Sequence, residues 1–129
     1  MTAGQVAIRA DAGPVIGSGH VMRGLTLAAA LHARGAAVHF ICGDGPGHLA
    51  GRIREAGCAV TLIPAGLPEA ADAQATQAAL QRDGESAGCD LLLIAGSTVP
   101  KDRADTVPAA IVAAGGEILH FGMPVEPGN

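Results

Sequence analysis

Five short apolar runs alternate with segments of helical spacing along the chain. The runs are QVAIRA (5–10), AVHFIC (37–42), CAVTLI (58–63), DLLLIA (90–95) and EILHF (117–121). Each has strand length and is rich in Val, Ile and Leu, which predicts strands buried on both faces. Between them, apolar positions recur at helical spacing over 20–34, 47–56, 71–82 and 104–114. Gly35, Gly57 and Gly115 fall where three of these helices should end. Strand and helix in strict alternation predict βαβ units. The expected fold class is α/β: a Rossmann-like three-layer sandwich on a five-stranded parallel sheet, with 1–129 forming a single domain. Right-handed crossovers put the strand C-termini on one edge, where open α/β sheets bind ligands. The loops 13–19, 43–47 and 96–102 should open there, and PAGLPEAA (64–71) reads as a Pro/Gly loop.

Composition supports that picture. The chain has 129 residues, 49% hydrophobic and 16% charged, enough to bury a core and too apolar for disorder. Aromatic content is 2%, Phe40 and Phe121 alone, so the core must be built from Ala, Val, Leu and Ile. The net charge is −4 and the basic residues do not cluster, which argues against nucleic-acid binding. No apolar run is long enough to span a membrane, and the N-terminus lacks the pattern of a signal peptide. Cys42, Cys58 and Cys89 form no CxxC pair and sit in or beside predicted strands. They read as buried thiols in a reducing cytoplasm. No His or Cys pair has metal-ligand spacing, and no motif calls for a cofactor.

The stretch GPVIGSGHVMRG (13–24) carries the first candidate chemistry. It leads from strand one into a helix, whose free N–H groups and dipole favour an anion. Gly17 and Gly19 allow a ligand close to the backbone. Met22 stands where a dinucleotide fingerprint needs its last glycine, and no Gly-Lys-Ser/Thr follows to make a P-loop. His20 should lie in the first helical turn, where the dipole disfavours imidazolium. An uncharged imidazole can take a proton from water, as a general base must. Asp11 could orient that ring or bind a ligand hydroxyl, and Arg9 and Arg23 could hold negative charge. A capping or surface histidine beside solvated arginines fits the same spacing. His48 is a weaker binding candidate at a helix start, whereas His32, His39 and His120 read as structural or solvated.

IRADAGPVIGSGHVMRGLTLAAALHARGAAVHFIC (8–42) resembles the start of the bacterial UDP-sugar hydrolases of pseudaminic acid biosynthesis. That family opens with Arg-Ala-Asp, then Gly-x-Gly-His-Val-Met-Arg, then a helix leading to a His-Phe-Ile-Cys-like strand. The likeness continues more weakly to about residue 93, through DAQATQAAL (72–80). It implies a glycosyltransferase-B-like protein of two Rossmann-like halves. Such an enzyme releases UDP from a diacetamido-trideoxy sugar as water attacks the anomeric carbon. His20 then matches the general base, with Asp11 as its orienter. Arg9, Gly17, Ser18, Gly19, Met22 and Arg23 would surround sugar and diphosphate. One departure is Gly24, where the family commonly carries a cysteine.

The tail departs further. Where the hydrolases carry an Asp-His-Tyr-like segment, this chain reads Ala95-Gly96-Ser97-Thr98. Residues 90–129 resemble the molybdopterin-binding domain of molybdenum cofactor biosynthesis proteins, in the Gly-Ser loop, Asp-Arg-x-Asp and Gly-Met-Pro-Val-x-Pro-Gly-Asn. That implies a pterin-phosphate loop at Gly96, Ser97, Asp102 and Asp105, although the two aspartates also suit helix capping, worth about 1 kcal/mol. The expectation is a chimeric or fused chain whose parents meet near 88–96, without the hydrolase's nucleotide-binding second half. Alone it should be weak or inactive, because remote binding energy positions the reacting centre. Three readings follow. They are the sugar-facing half of a UDP-sugar hydrolase, a non-catalytic domain for molybdopterin or another phosphorylated ligand, and an α/β scaffold without function. The expected partner is a nucleotide-sugar or other phosphorylated small molecule.

Overall fold

The computed structural model describes residues 4–14, 16–82 and 90–95, together with Val112, Gly115 and Glu117. In chain order the elements are β1 (Gln5–Arg9), α1 (Gly19–Ala33), β2 (Ala37–Gly43), α2 (Ala50–Glu55), β3 (Ala59–Ile63), α3 (Glu69–Arg82) and β4 (Leu91–Ile94). Their order and type follow the apolar periodicity. Two boundaries differ from it by more than one residue. α2 starts at Ala50, after a turn through Gly45, Pro46 and Gly47, and α3 starts directly after Pro68, inside the expected loop. The predicted fifth strand (117–121) and fourth helix (104–114) lie outside the described residues, apart from Glu117 and Val112.

The described strands form one parallel sheet in the order β3-β2-β1-β4. Among the described residues the chain is thus α/β, with a parallel sheet of four strands and helices on both faces. Val6, Ile8, Val38, Phe40 and Cys42 face α1 and α2, packing on Val21, Ala28 and Ile53. Ile41 and Ile63 point the other way, onto Ala75 and Ala79 of α3. Right-handed crossovers explain the division. The chain steps outward from β1 to β3 with both helices on one face, then returns past β1 to β4 with α3 on the other. The strand order therefore reverses at β1, which lies between β2 and β4.

Two helices end as the glycines predict. Gly35 and Gly57 have φ of 86° and 85°. Gly35 N–H donates to His32 O, and Ala36 N–H to Leu31 O; Gly57 and Cys58 repeat the pattern on Arg54 and Ile53. These paired bonds satisfy carbonyls that the helix end would otherwise leave free. Midway along α1, Gly24 is buried against β2. A Cβ there would lie 2.9 Å from Phe40 Cε2 and 3.2 Å from Cζ, so the missing side chain lets α1 sit down on the ring.

The chain divides into two compact units, Met1–Ala95 and Gly96–Asn129. Among the described residues no helix is long and apolar enough to cross a membrane. Cys42 and Cys58 are buried free thiols, and burial pushes the Cys42 thiol up to about 11, with the Asp11 charge adding to it. Cys89 lies outside the described residues.

Candidate functional site

The loop after β1 closes on itself before α1 begins. Gly13 and Gly17 exchange backbone bonds of 3.1 and 2.8 Å, which pins 13–17 into a turn and uses the Gly17 N–H. Ser18 precedes the helix without a side-chain capping bond, and the first turn holds no acidic residue. Met22 N–H is the first to reach back, to Ser18 O at 2.9 Å. The N–H groups of Gly19, His20 and Val21 stand ahead of the helical ladder with no partner inside it. Arg23 folds toward the same end: its Nη1 lies 3.9 Å from the point where a Gly19 side chain would begin. A guanidinium and a helix N-terminus, both positive, share this space, which favours an anion between them.

His20 lines a cavity of about 220 Å³ between α1 and β4, together with Arg23, Leu27, Leu93, Ile94 and Ala95. Its Nδ1 is buried and has no hydrogen-bond partner among the described residues. An unmet buried polar atom costs about 1–3 kcal/mol. Here it belongs to a side chain that lines this cavity.

Arg9, Asp11 and Asp72 occupy the opposite face of β1. The Arg9 side chain is only 9% exposed, and four of its five donors are engaged. Nε and Nη2 hold Asp72 through both carboxylate oxygens, at 3.2 and 2.7 Å. Nη1 donates to Asp11 Oδ1 at 2.5 Å and to Ile41 O at 3.3 Å. Burial works against the Arg9 charge, but the bonds to Asp72 and then Asp11 outweigh it and hold the guanidinium protonated beyond its usual range. Asp11 Oδ1 also accepts the Gly43 N–H at 2.7 Å, tying the end of β1 to the end of β2. Burial alone would raise the Asp11 carboxyl. The Arg9 hydrogen bond, the Gly43 N–H, the Arg9 charge and then the His20 charge together bring it below the usual carboxylate value.

The residues expected to act together are thus split by the sheet. His20 and Arg23 face the α1–β4 side, and Met22 follows in the same helix. Arg9 and Asp11 line a larger cleft above β1, β2 and β3. Asp11 feels the charge of His20, but no hydrogen bond joins them. Arg9, expected to hold ligand charge, gives its guanidinium to two carboxylates instead. His39 is buried and hydrogen-bonded to Thr61 Oγ1 at 2.7 Å. His48 Nδ1 accepts the Ala50 N–H at 3.3 Å, and its Nε2 lies 3.6 Å from Asp44. Gly96, Ser97, Asp102 and Asp105 lie outside the described residues, as does His120. Among the described residues no group of three or more His, Cys, Asp or Glu could hold a metal ion.

No protein family, curated protein or solved structure matches this chain. The site residue missed in the sequence is Asp72. The signal for it was Arg9 itself, since an arginine in a strand buried on both faces needs a carboxylate partner. Spacing alone could not choose which acidic residue of the later helix would supply it.

Proposed function

We propose that this chain is the sugar-facing, Rossmann-like half of a UDP-sugar hydrolase, with 117–121 as a fifth strand of its sheet. The observation that carries the reading is His20 lining the cavity between α1 and β4, with a buried, unmet Nδ1 beside the free N-terminus of α1. In the proposed reaction His20 takes a proton from water as the water oxygen bonds to the anomeric carbon. The bond from that carbon to the diphosphate breaks, and UDP leaves with the electron pair. Asp11 keeps the orienting role that the resemblance implies, close enough to His20 for the two to interact through space. Arg23 and the N–H groups of 19–21 take the diphosphate charge, and Gly17, Ser18 and Met22 shape the approach. The resemblance of residues 17–23 to the hydrolases' Gly-x-Gly-His-Val-Met-Arg motif supports the assignment. The work is placed in the cytoplasm on a nucleotide-sugar, with a second Rossmann-like half closing the site.

The test is UDP release from the UDP-linked diacetamido-trideoxy sugar, by the chain alone and mixed with a separate nucleotide-binding half. Loss of a general base lowers rates by roughly 10²–10⁴-fold, so His20→Ala should cut release by that factor. Release that survives His20→Ala overturns the reading. Binding of molybdopterin through 96–105, with no response to UDP, would favour the non-catalytic alternative. Silence toward both would leave an α/β scaffold.

A further inference from the structure

The loops after β1 and β2 meet backbone to backbone. Gly47 has a φ of 82°, in the left-handed region that favours glycine. A Cβ on it would lie 3.2 Å from Gly13 Cα, 3.4 Å from Pro14 Cδ and 3.5 Å from the Gly13 carbonyl carbon. The contact is reciprocal, since a Cβ on Gly13 would stand 3.2 Å from Pro46 O. Favourable carbon contacts lie at about 3.5–4.0 Å, so a side chain at 47 must push its neighbour away by a few tenths of an ångström. The β2–α2 loop is the firmer of the two. His48 N–H closes its turn onto Gly45 O at 3.3 Å, and Asp44 N–H donates to Ile63 O at 2.7 Å. Ala50 and Ile53 of α2 are fully buried behind it. On the other side Pro14 and residues 16–19 are exposed, so a displacement falls on the loop that leads to His20.

Gly13 is also the residue on which that loop closes. Its N–H and C=O both bond Gly17, and Ser18, Gly19 and His20 follow directly. The place of Gly13 therefore governs where the first turn of α1 begins. A second tie joins the same two loops, from Gly43 N–H to Asp11 Oδ1 at 2.7 Å. We propose that Gly47 is a positioning residue for His20: the β2–α2 loop, seated against Gly13, holds the 13–17 turn from which α1 and its histidine start. Gly47 touches no substrate and acts through Gly13 and Pro14. The seat needs a residue with no side chain and no penalty at positive φ, which glycine alone supplies. That the held histidine is a base rests on the hydrolytic reading above, whereas the mechanical link rests on the geometry of the loops.

The experiment compares Gly47→Ala and Gly57→Ala in the full chain by NMR, without ligand. Both glycines have positive φ, 82° and 85°, but a Cβ on Gly57 would meet nothing within 4 Å. The two variants thus share the backbone strain and differ in the push on Gly13. Gly47→Ala should shift the amides of Gly13, Gly17 and Gly19 and the His20 imidazole Cε1–H signal, and Gly57→Ala should leave all four in place. An unmoved His20 ring in a folded Gly47→Ala overturns the proposal, and so does an equal shift in Gly57→Ala. If Gly47→Ala does not fold, Gly13→Ala takes its place: its Cβ meets Pro46 O without left-handed strain, and a fixed His20 ring there overturns the proposal equally. With a second half present, Gly47→Ala should lower kcat for UDP release roughly tenfold with KM little changed, as a displaced base would; an undiminished kcat also overturns the proposal. No UDP release from the unmodified chain would overturn the hydrolytic reading, while the ring shifts still decide the link between the loops.

Discussion

Replacing Gly24 with alanine sets two effects of known sign against each other. Removing a glycine from a helix interior gains about 1 kcal/mol. The new Cβ, however, would meet Phe40 Cε2 at 2.9 Å and Cζ at 3.2 Å, with Ile8 Cγ2 at 3.6 Å behind. Favourable carbon contacts lie at about 3.5–4.0 Å, so the methyl overlaps the ring by roughly half an ångström or more. Phe40 is fully buried, among Ile8, Val21, Val38 and Ile53, and has no free side toward which to swing. Overpacking of that kind costs about 1–3 kcal/mol. The expected net result is a loss of about 1 kcal/mol for Gly24→Ala. Gly24→Cys, the residue common in the hydrolases, should lose about 2 kcal/mol through its larger sulfur. With no Trp or Tyr in the chain, urea unfolding is best followed by far-ultraviolet circular dichroism. Phe40→Leu alone should cost about 1–2 kcal/mol and should relieve the clash when combined with Gly24→Ala. The coupling in the double-mutant cycle should then be at least about 1 kcal/mol. A Gly24→Ala chain that gains the full helix propensity, with additive effects in the cycle, would refute the claim that α1 is seated on the ring.

Three further outcomes follow from the ionic trio and the thiols. Arg9→Met should destabilise the fold by about 2–4 kcal/mol in urea titration, because it leaves Asp11 and Asp72 without their shared cation; adding Asp72→Leu should restore part of the loss. The Asp11 carboxyl is held below its ordinary value, so its contribution is present above about pH 4 and fades as the pH falls further. Urea midpoints of a folded Asp11→Asn chain should lack that acid-side decline. Burial holds the Cys42 and Cys58 thiols above their usual values, Cys42 at about 11. Alkylation near pH 8, mapped by mass spectrometry, should therefore spare both until the chain unfolds, and stability should fall as the pH rises from about 9 toward about 11.

Much of the fold was legible because it depends on periodicity. Runs such as AVHFIC bury alternate residues on opposite faces, Phe40 toward α1 and Ile41 toward α3, and the C-terminal glycines are dictated by φ. The expected helix start at 47 was wrong because Gly45, Pro46 and Gly47 make a turn that helical spacing does not register. The candidate site was legible only in part. His20 and Arg23 share a cavity because they lie on adjacent turns of one helix, which sequence spacing reports. Asp11 was expected beside His20 because it is close in the chain. Instead, Asp11 follows the odd-numbered side of β1 with Arg9, and its partners, Gly43 and Asp72, come from distant elements. Strand alternation foretells the face, but the carboxylate that meets Arg9 from α3 is fixed by helix register over the sheet, which no local pattern encodes.

The proposed reaction requires a ligand to meet His20 in the cavity between α1 and β4. The direct measurement is the imidazole Cε1–H signal of His20, followed by NMR as UDP-N-acetylglucosamine is added to the unmodified chain. We expect that signal to move in a saturable way, together with the amides of Gly19, Arg23 and Ala95. A His20 ring signal that stays fixed while other residues respond, or while nothing responds, would contradict the account.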